Sequence, residues 1–237
     1  MKINLKYVWI FFLLITVFSC KKHKEEKKEL ETSTVADIEG NVYKTVKIGD
    51  QWWMAENLRV KKYNDGSSII EVVELDNDSV WAKQTEGAFY YNDISLCFLY
   101  NGFAVKDVRK VAPIGWHIPT DEEWKTLEKT MGMNADEANN TAWRGSTIGD
   151  KMAIKSSIGW PSPSVLFGTN EFGFTAVPGG NRGYDGYKNK QASMAFWWSS
   201  TTIDNELWYR YLDYQKTEVF RQHIDKNYGF NIRCVKD

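Results

Sequence analysis

The stretch from Pro113 to Met131 carries the strongest helix signal in this chain, and its near isolation decides what the rest must be. Thr120 and Glu123 make an S/T-x-x-E capping box, while Asp121 and Glu122 suit the positive end of a helix dipole. Trp124, Leu127 and Met131 then recur on one face, and Gly132 closes the run. The spacing predicts a helix over 120–131, with Pro119 placed to pack on Trp124 as a hydrophobic staple. A shorter helix is expected around 134–142, capped by Asn134 with Glu137 at its third position. Most of the remaining chain reads as short strands between turn signals. The fold class is therefore α+β: antiparallel strands, one or two flanking helices and a long irregular loop region.

The strands follow from β-branched and aromatic alternation. A turn at Gly40-Asn41 leads into a strand from Val42 to Ile48, and Gln51 to Met54 returns after Gly49-Asp50. Short strands are expected over 68–73 and 86–91, with a turn at Leu99-Tyr100-Asn101-Gly102. Glycines between Gly168 and Gly186 punctuate a long loop region. Four strands then follow, over 195–200, 208–212, 218–221 and 229–235. Trp52-Trp53 and Trp197-Trp198 are adjacent pairs on predicted strands, so one of each enters the core and the other faces out, to cover a loop or, as the alternative, to stack on a ligand.

The chain begins with Lys2 and Lys6 ahead of an eleven-residue apolar run, Val8 to Phe18, then Ser19 and Cys20. That run is too short for a ~30 Å hydrocarbon core and reads as a secretory signal. The sequence Val17-Phe18-Ser19-Cys20 resembles a bacterial lipobox, which implies cleavage after residue 19 and lipidation of Cys20. Removing residues 1–19, which hold two lysines and no acid, moves the formal net charge from −1 to −3. That value gives no ground for a nucleic-acid partner. Residues 20–36 read as the lipidated cysteine and a charged tether, because Lys21 to Glu31 has no apolar face. Residues 37–237 are the size of one domain. Ten of the eleven tryptophans lie after the leader, in a glycine-rich context shared by proteins that stack aromatics on sugars.

Chemistry is sparse. Only His23, His117 and His223 are available, and no G-x-S-x-G, H-E-x-x-H or paired C-x-x-C occurs. His117 beside the capping box reads as a structural hydrogen-bonding residue. No catalytic residue and no metal site is therefore assigned. No cofactor is expected; calcium would need a ligand set that no motif here indicates. Asp76-Asn77-Asp78 and Asp204-Asn205-Glu206 both read as solvated turns. With Cys20 lipidated, Cys97 and Cys234 remain, either as one disulfide or as two free buried thiols. Tyr184 and Tyr187, with Asn181 and Arg182, resemble a recognition loop in composition and are the candidate ligand-binding residues.

Seven phrases in order resemble the Fibrobacter succinogenes major paralogous domain, common on lipoproteins and secreted proteins of Bacteroidetes and Fibrobacteres. They are residues 37–47 (DIEGNVYKTVK), 48–58 (IGDQWWMAENL), 99–105 (LYNGFAV), 112–124 (APIGWHIPTDEEW), 171–181 (EFGFTAVPGGN), 196–201 (FWWSST) and 228–237 (YGFNIRCVKD). In that family Pro113 is often preceded by Cys; Ala112 stands here, which leaves Cys97 as the one intrachain partner for Cys234. The phrases at 118–124 and 229–234 are also similar to the C-type-lectin-like superfamily, including the formylglycine-generating enzymes. This resemblance implies pairing of N- and C-terminal strands, flanking helices and a functional loop region. The cysteines do not match the copper-binding pattern of those enzymes, so that activity is not carried over. The expectation is a lipid-anchored cell-envelope protein at the outer membrane, periplasmic or surface-exposed. Its single non-catalytic domain would bind glycan or, as the alternative, a protein partner in a surface assembly, with an enzyme of unknown reaction as the third reading.

Overall fold

A computed structural model describes residues 29–73, 77–155, 159–189 and 192–237. Cys20, the leader and most of the tether lie outside the described residues, as does Asp76. In chain order the elements are β1 (Thr32–Ala36), β2 (Val42–Ile48), β3 (Gln51–Met54), β4 (Ile70–Glu71), α1 (Asn77–Ala82), β5 (Ala88–Asn92) and β6 (Cys97–Asn101). They continue with α2 (Gly102–Lys106), β7 (Trp116–His117), α3 (Asp121–Thr130), α4 (Ala135–Ala138), β8 (Ala142–Arg144) and α5 (Ile148–Met152). The last are β9 (Asn181–Arg182), β10 (Lys188–Asn189), β11 (Met194–Ile203), β12 (Glu206–Asp213), β13 (Val219–Ile224), β14 (Gly229–Phe230) and β15 (Val235–Lys236).

The strands form three sheets, ordered β1-β2-β3-β15-β7, β10-β9-β14-β6-β5-β4 and β11-β12-β13-β8. Pairing is antiparallel apart from β4 with β5, so the class is α+β. The C-terminal strand β15 lies between β3 and β7, which closes the chain end onto the N-terminal hairpin. Isolated bridges from Trp197 to Asn231 and from Gly180 to Ala195 tie the sheets together.

The capping box is present on both sides: Thr120 accepts from the Glu123 amide while the Glu123 side chain accepts from the Thr120 amide. The second helix is shorter than expected. It ends at Ala138, because Ala142 already begins β8, which pairs with β13. Three further expectations change. Residues 99–102 are not a turn; Asn101 ends β6 and caps α2, its side chain accepting from the Ala104 amide. Asn77 and Asp78 open α1 rather than a turn. The domain also starts earlier than residue 37, since β1 pairs along its whole length with β2 and the Lys47 amide donates to Glu31. A strand lying on an existing edge needs little apolar content of its own, so the tether's polar composition concealed it.

Two buried clusters share the central strands. Tyr43, Met54, Trp198, Phe230 and Cys234 belong to one, and Val46, Trp53, Trp197, Leu212 and Val235 to the other. Period-two alternation therefore sends neighbouring side chains into different cores. Trp52, near the start of β3, is half-buried, but Trp197 and Trp198 are both fully buried. The expected outward member of that pair does not exist, because β11 is covered on both faces. Truncating either would cost about 3–5 kcal/mol.

Candidate functional site

The two faces of the β11-β12-β13-β8 sheet carry different chemistry. On the face toward α3, Arg210 is fully buried and donates to Asp121 Oδ1 at 2.7 Å and Glu128 Oε1 at 2.7 Å. Arg221 donates through Nε and Nη2 to Asp121 at 3.0 and 2.7 Å, and Arg144 Nη1 pairs with Glu128 Oε2 at 2.9 Å. Burial pushes the Asp121 carboxyl up, but Arg221 and Arg210 outweigh it and hold it well below the usual carboxylate range. These ion pairs fasten α3 to the sheet, although Glu128 Oε2 is buried close to Arg144 without accepting a well-aligned hydrogen bond.

The opposite face is aromatic. Alternation places Phe196, Tyr209, Tyr211, Phe220 and Trp143 on it, and their rings form a ladder. Trp143 meets Tyr211 at 4.9 Å and Phe220 at 5.1 Å. Tyr211 meets Phe220 at 4.5 Å and Phe196 at 4.8 Å. Phe196 stacks on Phe230 at 5.0 Å, Phe230 reaches Tyr228 at 5.9 Å, and Tyr228 reaches Tyr184 at 5.7 Å. The middle of the ladder, at Phe196, Tyr209 and Phe230, is buried. Trp143, Tyr211, Phe220 and Tyr228 are half-buried, and Tyr184 is 59 % exposed. Burial, with the Asp213 charge behind it, pushes the Tyr211 hydroxyl up to about 12. Burial, then Tyr184, Asp185 and Asp225, raises Tyr228 as well. Both hydroxyls are thus neutral donors at physiological pH.

The loop singled out from sequence divides. Tyr184 and Tyr187 lie at the tip of the β9–β10 hairpin, and Tyr187 is 60 % exposed. Asn181 and Arg182 are buried instead, because β9 is an interior strand between β10 and β14. The Arg182 guanidinium lies 4.9 Å from the Trp81 ring and 4.5 Å from the Tyr90 ring, and Nε donates to the Gly186 carbonyl at 3.0 Å. Gly229 allows this stack: a Cβ there would stand 2.7 Å from Trp81. Arg182 therefore anchors the hairpin against Trp81 and Tyr90. Sequence reasoning missed Trp143, Tyr211, Phe220 and Tyr228. Alternation in Trp208-Tyr209-Arg210-Tyr211 would have put the two tyrosines on one face, but nothing local joins them to Trp143.

The remaining candidates are accounted for locally. Cys97 and Cys234 are free and buried, so the bridge left open by the sequence is not formed. Cys97 Sγ donates to the Ser95 carbonyl at 3.2 Å and sits 3.9 Å from Asn57 Nδ2, while Cys234 packs in the first core cluster. Burial raises both thiols. His117 lies between Asp237 Oδ1 at 2.6 Å and Glu123 Oε1 at 2.8 Å. Asp204, Asn205 and Glu206 do not converge: Asn205 accepts from Lys226 at 2.9 Å and Glu206 pairs with His223. Among the described residues no group of three or more His, Cys, Asp or Glu is arranged to hold a metal ion, and no helix is long and apolar enough to cross a membrane.

Comparison with curated proteins and with solved structures finds no match to this chain. The sequence model of one family does match, over residues 46–236, which spans β2 through β15. The chain belongs to the Fibrobacter succinogenes major domain family.

Proposed function

We propose that this chain is a lipid-anchored envelope protein whose domain has a C-type-lectin-like fold and binds glycan on the aromatic face of the β11-β12-β13-β8 sheet. The observation that carries this reading is the ring ladder from Trp143 to Tyr184, buried at its middle but open to solvent at both ends, where tyrosine hydroxyls edge it. A sugar ring presents an apolar face that stacks on an aromatic plane and hydroxyls that pair with neutral donors and acceptors. Acyl chains on Cys20 would hold the protein at the bilayer, each buried methylene adding about 0.8 kcal/mol. Since β1 begins at Thr32, the intervening chain reaches at most about 40 Å, so the domain would stay close to the membrane. The outer membrane is the expected site.

The test is the purified full-length chain on a broad glycan array, with calcium and then with chelator. Binding should fall about tenfold or more in a Trp143→Ala, Tyr211→Ala variant, and by less in Tyr187→Ala. Chelator sensitivity would add calcium to the site. A blank array from folded protein would refute the glycan reading and leave the ladder as a surface for a protein partner.

A further inference from the structure

A separate cavity lies between α2 and β7, with Ser200 of β11 at its edge. Its volume is about 300 Å³. Val105, Val111, Ala112 and Ile118 form a buried apolar floor, and the half-buried Trp116 forms one wall. The rim is charged, and most of its charge is already engaged. Asp107 is held by Arg109 through Nε at 2.9 Å and Nη2 at 2.7 Å. Both ring nitrogens of His117 are occupied by Asp237 and Glu123. Two lysines remain. Lys106 gives one hydrogen bond, to the Ser200 carbonyl at 3.1 Å, and Lys110 is exposed with no side-chain partner among the described residues. Lys110 also has φ of +57° in the 107–110 turn. Glycine or asparagine would be less strained there, so a lysine is held at the mouth at a conformational cost.

We propose that this cavity binds a small monocarboxylate with an apolar body. At about 30 Å³ per water-sized group, it holds about ten non-hydrogen atoms, which suits a medium-chain acid. The apolar end lies on Val105, Val111 and Ile118 against Trp116, and the carboxylate accepts from Lys106 and Lys110. This site is independent of the glycan reading, because none of its residues belongs to the ladder.

The test uses the full-length protein and a hexanoic acid bearing a photoreactive diazirine, about ten non-hydrogen atoms in all, with the labelled position mapped by peptide mass spectrometry. Label should fall within residues 105–118, and octanoate should protect those residues about tenfold better than octanamide. A Lys106→Gln, Lys110→Gln variant changes only exposed side chains, so it should fold normally while that preference for octanoate disappears. Equal protection by octanamide, or an unchanged preference in the double variant, would overturn charge recognition and with it the proposal. Labelling elsewhere, or none, would overturn the cavity as a site.

Discussion

Asp121 is the residue whose removal most directly tests how α3 is fastened to the sheet. Its carboxylate is 4 % exposed and lies against three cations: Arg210 at 2.7 Å, Arg221 at 2.7 Å and Lys125 at 3.3 Å. Asp121→Asn keeps the shape and removes the charge. Glu128 would then be the one carboxylate paired with Arg144 and Arg210, while Arg221 would be left with the Asn139 and Asn140 carbonyls and Lys125 with its contact to exposed Glu122. Stranding buried charge costs about 3–5 kcal/mol, and loss of an acid from the first turn of α3 adds about 0.3–1 kcal/mol. For a domain of this size each kcal/mol lowers Tm by about 2–4 °C, so a fall of about 7–24 °C is expected. Urea unfolding followed by tryptophan fluorescence reads the change, with an unchanged slope showing that the folded state is intact. Because the folded carboxyl titrates well below its unfolded value of about 3.9, its stabilisation is complete above that pH. The gap between wild type and variant should stay constant from pH 8 to about pH 5 and close only as pH falls through the folded pKa. Adding Arg221→Met should cost less in this background than alone, since one stranded cation leaves with it. A loss below about 1 kcal/mol, the value of an exposed pair, would refute the reasoning.

Three further outcomes are expected. Thr120→Ala removes the side-chain half of the capping box and should cost about 1 kcal/mol in urea unfolding; an unchanged midpoint would show that Asp121 and Glu123 hold the helix start without it. Alkylation followed by mass spectrometry should find Cys97 and Cys234 unreactive in the native protein and both reactive once unfolded. Loss of two hydrogens in the unreduced peptides would mean a bridge. His117 is pulled down by burial and raised further by Asp237 and Glu123, with a net rise. Its contribution is therefore full below about pH 6.5 and is lost as pH rises through the folded value. Wild type should lose stability across that interval where His117→Gln does not, and parallel pH profiles would exclude the clamp.

The sequence by itself determined the elements whose causes are local. The α3 cap, the β2–β3 hairpin and the strands at 194–203 and 206–213 rest on short-range patterns: a capping box, a Gly-Asp turn, and β-branched or aromatic runs. The resemblance to the family rested instead on seven phrases in order along the chain, and the family's sequence model matches residues 46–236. Tertiary structure decided everything that depends on what covers a surface. Alternation says that Trp197 and Trp198 point to opposite sides, and it cannot say that both sides are core. Polar composition made 32–36 look like tether until β2 offered it an edge. Asn181 and Arg182 have the composition of a recognition loop, yet pairing with β14 buried them and left only the two tyrosines outside. The aromatic ladder is the fullest case. Its rings come from β8, β11, β12, β13, β14 and the β9–β10 hairpin, segments up to about ninety residues apart in the chain. No local pattern encodes such a surface, because it exists only once two sheets have set those rings within stacking distance of one another.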